Sequence, residues 1–226
     1  MGYAYSHGQR DNTIGRQRTL EYASTMAAAT SLPVSADLEN CFGDSPAKVA
    51  ETIRLAGETG IVGGSVEDAT GRPDHPIYNI DKATARVKAA ARAAHALPFP
   101  FTLTARAENY LNGQPDLEDT ILRLQSYQDA GADVLYAPGL TSKDEIARVV
   151  RSLKKPVNVI MGRKTGTPLS LAELSALGVK RVSVGSALQR IVLAALVSAA
   201  LEMKEQGTFT FATSAVDPED MDRIFS

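Results

Sequence analysis

"LPVSADLENCFG", residues 32–43, runs from a short apolar stretch directly into two acids, Asp37 and Glu39, followed by a cysteine and a glycine. "GIVGGSVEDATG", residues 60–71, repeats the pattern and ends in Glu67 and Asp68. Apolar runs of this length, bounded by glycine and polar residues, read as buried strands. Parallel strands bring their C-terminal ends to one side of a sheet, so acids at two such ends point to a shared destination.

Working outward, strands are predicted at 33–36, 61–66, 101–105, 133–136, 156–161 and 180–184. Helical patterns fall near 18–30, 46–59, 80–96, 116–130, 142–153 and 170–177, with a longer one at 186–205. A spacing of about 25–35 residues is that of βα units, whose strands are parallel and covered on both faces. Helix starts are marked by Ser45-Pro46 and by the capping boxes Ser142/Glu145 and Ser170/Glu173. Gly60, Gly131 and Gly178 close helices just ahead of the next strand. The tail from Gly207 is read as a short strand-like piece and a helix at 218–225 behind Asp217 and Pro218. With no linker in view, residues 1–226 are read as a single domain with a C-terminal helical tail from about 186. No GxGxxG or GxxxxGK[ST] follows a strand, which weakens a doubly wound sheet, while six strands and a short chain are too few for a closed (β/α)₈ barrel, so both architectures stay open at this point.

Composition narrows the function classes. The chain has 226 residues, 44% hydrophobic and 22% charged, with a formal net charge of -2. That is an ordinary globular composition, with no broad attraction for nucleic acid or anionic lipid. One cysteine excludes an intrachain disulfide framework and fits a reducing, cytoplasmic setting. The apolar stretch from Ile191 is too short to span a bilayer.

In a parallel barrel the strand ends gather Asp37, Glu39, Glu67, Asp68, Arg106 and Glu108, with Asn158 and Arg163 as weaker members. Carboxylates from neighbouring strand ends make an oxygen-rich site for a hard cation, Mg²⁺ or Mn²⁺. Arg106 then clamps a substrate carboxylate, and Glu108 serves the reaction or orients Arg106. A cation and a guanidinium together suit a reaction that develops an enolate on a small anionic substrate.

"SADLENCFG" resembles the D-x-[DE]-x-G-[YF]-G signature of the isocitrate lyase/phosphoenolpyruvate mutase superfamily. "VEDAT", "TARAEN", "QDAGADVLYAPG" and "KRVSVGSAL" follow in the family's order. The resemblance implies a (β/α)₈ TIM-type barrel whose chemistry is Mg²⁺-dependent making or breaking of C–C or C–P bonds through enolpyruvate-like intermediates. It implies Asp37 as the direct metal ligand, Glu39 and Glu67 as holders of metal-bound water, and Arg106 on the substrate. "GQRDN" supplies Asp11 near substrate and metal, and "MGYA" supplies the backbone amides of Gly2 and Tyr3 for a substrate carboxylate. On this mapping the chain starts where the family's second strand should end, so the barrel is expected to be incomplete, with strand 1 and most of strand 2 absent.

Cys41 replaces the signature glycine, and is expected to be strained if that position needs positive φ. The family's gate loop corresponds to "ATGRPDHPIYN"; it lacks the cysteine of isocitrate lyases, and His75 is its one candidate for contact with substrate. No lysine lies between Thr70 and Asn79, which disfavours a C–P mutase. The expectation is a Mg²⁺-dependent lyase of a small 2-hydroxy- or 2-oxo-dicarboxylate, cleaving a C–C bond to a pyruvate-type product. The alternatives are a phosphonopyruvate-type C–P mutase or hydrolase, and a truncated, catalytically impaired homologue. The Ala-rich helix from Ser186 to Met203 suggests a homodimer or homotetramer.

Overall fold

The computed structural model describes residues 2–162, 166 and 168–225. Two compact units make up the chain, Met1–Gly185 and Ser186–Ser226. The first unit contains β1 (Ser35–Asp37), β2 (Gly63–Glu67), β3 (Thr102–Arg106), β4 (Val134–Tyr136), β5 (Val157–Ile160) and β6 (Arg181–Ser183). Its helices are α1 (Gly2–Ser6), α2 (Arg16–Ala28), α3 (Pro46–Gly57), α4 (Ile80–His95), α5 (Leu117–Asp129), α6 (Lys143–Arg151) and α7 (Leu171–Ala176). The second unit contains α8 (Ala187–Gln206) and α9 (Pro218–Phe225).

The strands form one parallel sheet in the order β1-β2-β3-β4-β5-β6. This corrects the expected eight-stranded barrel lacking strand 1 and most of strand 2. All six strands, the first and second included, are formed, and the architecture is an incomplete, open (β/α) barrel. The physical reason is that each βα unit carries its own strand, its own covering helix and its own start and stop signals. Among the described residues β1 and β6 each pair on one side only.

Those signals operate as read. Ser45 accepts from the Lys48 N–H ahead of Pro46, and Ser142 and Ser170 form reciprocal capping boxes with Glu145 and Glu173. Gly131 and Gly178 take φ 106 and 91. A Cβ at Gly131 would also lie 3.1 Å from that of Ala91, so the turn into β4 needs glycine for space as well as conformation.

Strand alternation divides the sheet into unlike faces. Val66, Leu103, Ala105, Leu135, Val157 and Val159 are buried with helix residues such as Val49, Ile53, Val87 and Leu124. The other face carries Asp37, Ser65, Glu67, Thr104, Arg106, Tyr136, Asn158 and Ser183. The expected apolar cover on both sides therefore holds for one side only.

In the second unit the tail expected to hold a strand-like piece instead enters a 3₁₀ turn, Thr210–Ser214. Glu202 on α8 accepts from the Thr208 hydroxyl at 2.8 Å and from the Thr210 N–H at 2.5 Å, folding the chain back onto the helix end rather than extending it.

Candidate active site

The strand ends position the site. Asp37 stands in register with Ser65, while Glu67, Arg106, Tyr136, Asn158 and Arg181 form one row across β2 to β6. Register partners on parallel strands share a face, so this row presents acid, base, phenol and amide to one surface.

Arg106 lies at its centre. Nη1 donates to Asp37 Oδ2 at 2.6 Å, Nη2 is 3.2 Å from Glu67 Oε2, and Nε donates to Glu108 Oε1 at 2.8 Å. Its guanidinium carbon is 5.4 Å from the Tyr136 ring centroid. Burial works against the Arg106 charge, but the carboxylates of Asp37, Glu108 and Glu67 hold its pKa well above the usual value.

Three carboxylates around one cation leave negative charge in excess, and a fourth, Glu39, adds to it. Asp37 leaves 61% of its side chain exposed to the mouth although protein surrounds it on its other sides. That surrounding protein acts to raise its pKa, but Arg106 and the bonds from Glu39 N–H and the Ser65 hydroxyl hold it below the ordinary value. Burial, then the charges of Asp37 and Asp11, push Glu39 up to about 7. Burial pushes Glu67 up to about 8, with Glu108, Asp37 and Glu39 adding to the effect against Arg106. Burial likewise raises Glu108 despite its pairing with Arg106.

Behind the row lies a second network. Asp68 is 2% exposed and turned away from the mouth. It accepts from Glu108 N–H at 2.8 Å, Tyr127 hydroxyl at 2.5 Å and Arg123 Nη1 at 3.1 Å. Asp68 thus fixes the backbone that carries Glu108, which in turn orients Arg106. The sequence reading grouped Asp68 with the mouth; the structure removes it to this supporting position.

Other expected residues fall as follows. Asp11 follows α1 in the chain and contributes to the negative field at Glu39. Gly2 and Tyr3 open α1, and the Tyr3 ring stacks on Tyr22 at 4.2 Å. Asn158 is buried, its Nδ2 donates to Ser183 Oγ at 3.0 Å, and its Oδ1 has no partner among the described residues. His75 is 79% exposed, with Nε2 3.7 Å from Asp74. Arg163 lies outside the described residues.

Ser65, Tyr136 and Ser183 are site residues that the sequence reading missed. Their signal was alternation: Ser65 is two before Glu67, and Tyr136 ends the strand beside the one carrying Arg106. The Tyr136 phenol is pushed up to about 12, chiefly by burial, so it remains a proton donor.

A family model described as phosphoenolpyruvate phosphomutase matches residues 1–204. The chain belongs to the phosphoenolpyruvate phosphomutase family. This places it in the isocitrate lyase/phosphoenolpyruvate mutase superfamily, a group of lyases and mutases. An uncharacterized Mycobacterium tuberculosis protein is 32% identical over 191 residues, covering 82% of this chain and 67% of that one. An oxaloacetate decarboxylase of Pseudomonas entomophila is 27% identical over 146 residues, covering 62% of this chain and 48% of its own. The chain thus spans about half the length of that relative. The crystal structure of a Burkholderia cenocepacia J2315 protein, described only provisionally as a lyase/mutase, is 62% identical with a TM-score of 0.95; the match covers 100% of this chain and 80% of that one. A 2,3-dimethylmalate lyase of the superfamily superposes with a TM-score of 0.83 at 26% identity, covering 100% of this chain and 78% of that one.

The superfamily raises the question of a divalent cation. Among the described residues no group of three acids or histidines is already arranged to hold a metal, because Arg106 stands between the carboxylates. The donor chemistry nonetheless fits a hard cation: the donors are carboxyl oxygens, exposed at Asp37, and the mutual repulsion that adds to burial in raising Glu39 and Glu67 is what a cation would relieve. Among the described residues no helix is long and apolar enough to cross a membrane.

Proposed function

We propose that the protein is a Mg²⁺-dependent lyase of a small 2-hydroxy- or 2-oxo-dicarboxylate, with Mn²⁺ as a substitute. One observation carries this reading: the partly buried guanidinium of Arg106 facing carboxylates from three strand ends. The names of the oxaloacetate decarboxylases and of the dimethylmalate lyase support the substrate class.

Asp37 would hold the cation directly, and Glu39 and Glu67 through water. When bound, the cation supplies positive charge at the substrate's carbonyl or hydroxyl oxygen. The remaining work falls to the chain's own groups. Arg106 binds a substrate carboxylate through N–H groups not engaged by Glu108, Asp37 and Glu67, and stabilises negative charge as it develops. Glu108 keeps the guanidinium in plane, and Asp68 keeps Glu108 in place. Asn158 Oδ1 accepts a substrate hydroxyl, which satisfies its unpartnered lone pairs. Glu39 and Glu67 are raised to about 7 and 8 without a cation; a bound cation would favour their ionised forms, in which either can accept a proton. A base removes the proton from a 2-hydroxyl, the adjacent C–C bond breaks, and its electron pair is held as an enolate until a proton returns to carbon. The amides of Gly2 and Tyr3 would meet the substrate's second carboxylate. Asp11 would order water near the cation, and His75 would meet substrate from the loop above.

Pyruvate release from oxaloacetate, citramalate, alkylmalates and phosphonopyruvate, with and without Mg²⁺, tests the reading. Metal-dependent release from one of the first three supports it; no release from any of them overturns it. Pyruvate release from phosphonopyruvate alone would favour C–P hydrolysis, whereas conversion of phosphonopyruvate to phosphoenolpyruvate without pyruvate release would favour the phosphomutase chemistry of the family's description. We also read the protein as a homodimer or homotetramer, because α8 exposes Leu188, Ile191, Val192, Leu196, Val197 and Leu201. A single buried thiol suits a cytoplasmic location.

A further inference from the structure

Arg86 on α4 has no surface exposure, and it is the largest of the fully buried side chains described. It forms no ion pair with a carboxylate among the described residues. A buried guanidinium without an anion is costly to maintain, so what it holds is informative. Nη1 donates to the Gly43 carbonyl, and Nη2 donates to the Asn40 carbonyl at 2.6 Å. Its guanidinium carbon lies 4.3 Å from the Tyr78 ring centroid, and Nε has no partner among the described residues.

Both carbonyls belong to the loop that leaves β1. Glu39, Cys41 and Phe42 there adopt φ 51, 56 and 57, the left-handed region that non-glycine residues avoid. Such a loop persists only when its surroundings impose it. Arg86 clamps its middle and its end, and the Thr52 hydroxyl donates to the Cys41 carbonyl at 2.8 Å. Near the start of the loop, Glu39 donates its backbone N–H to Asp37 Oδ1 at 3.0 Å. An unbroken path therefore runs from the Arg86 guanidinium through the Asn40 carbonyl and the Glu39 amide to the Asp37 carboxylate.

We propose that Arg86 is a positioning residue: it holds the left-handed loop in the conformation that presents Asp37 and Glu39 together. This rests on the reading of those two acids as the cation's holders. Loss of a supporting partner behind a metal ligand ordinarily weakens affinity by about 10–100-fold.

The test compares the full chain with Arg86→Met and Arg86→Lys. Mn²⁺ binding is followed by electron paramagnetic resonance, amide exchange over residues 38–43 by mass spectrometry, and folding by thermal unfolding. The expected result is Mn²⁺ affinity lowered by about tenfold or more in Arg86→Met, a changed line shape for the bound ion, faster exchange in the loop, and partial recovery with lysine. A folded Arg86→Met protein with wild-type affinity and wild-type loop protection overturns the proposal. Should that variant not fold, Arg86→Lys decides: intermediate affinity and exchange support the proposal, and wild-type values overturn it. If the wild type takes up no Mn²⁺, the cation reading fails separately. Loop exchange then decides for Arg86 alone, with faster exchange in the variants supporting the clamp and unchanged exchange overturning it.

Discussion

Arg106 is useful to the site because its charge is shared without being neutralised. Asp37, Glu67 and Glu108 each take one of its nitrogens, so the fork is rigid before any substrate arrives. A lysine in its place would keep the charge and lose the planar geometry. Arg106→Lys is therefore expected to lower kcat/KM by about 10²–10³, measured as pyruvate release, while leaving the fold intact by circular dichroism. The acids make a second prediction. Glu39 and Glu67 rise from 4.5 to about 7 and about 8 in the fold, so between those values the folded chain holds protons that the unfolded chain has released. Stability of the metal-free protein must then fall as pH rises from about 5 to about 8. Asp37, held below its ordinary value, acts in the opposite sense only at more acidic pH. Melting in chelator across that range should show the decline, Glu67→Gln should flatten it, and Mg²⁺ should reverse it at the alkaline end.

At the scale of elements, the loop after β1 carries its own liability. Cys41 occupies the signature position where glycine resembles the family pattern, and it does so at φ 56 with no exposed surface. Its thiol is pushed up to about 12, mainly by burial, and so stays protonated and inert. A β-branched residue there meets both the conformational penalty and crowding, so Cys41→Val is expected to cost at least about 2 kcal/mol in denaturant unfolding, whereas Cys41→Gly should change stability by no more than about 1 kcal/mol. This strain was legible from the sequence because the residue type conflicts with the motif. The strands and most helices were legible for a related reason: caps and glycines are local signals, and each βα unit carries a full set. Tyr136 was not, because an aromatic in an apolar strand reads as core until register sets it beside Arg106. Asp68 was misread although the signal was present: it directly follows Glu67, and neighbours along an extended chain do not point the same way. The strand-like reading of the tail misled because Glu202, six and eight residues earlier on the preceding helix, captures Thr208 and Thr210.

At the scale of the whole molecule, the chain combines a sheet-based unit with a helical one. The second, Ser186–Ser226, exposes large apolar side chains along most of α8, and none of that helix's residues is buried. The proposed homodimer or homotetramer would cover this surface with a second copy of the chain. Light scattering after size exclusion should give a dimer or larger species for the wild type, and Ile191→Asp combined with Leu196→Asp should shift it toward the monomer by removing the apolar contact. The first unit raises a different matter, at the flank of its sheet. β1 is only three residues long and, among the described residues, pairs with another strand on one side only. Asp37 sits at the end of that strand, on the exposed margin. Loss of the Asp37 charge would therefore release Arg106 from one of its three carboxylates and, on the proposed function, remove the cation's direct holder in the same step.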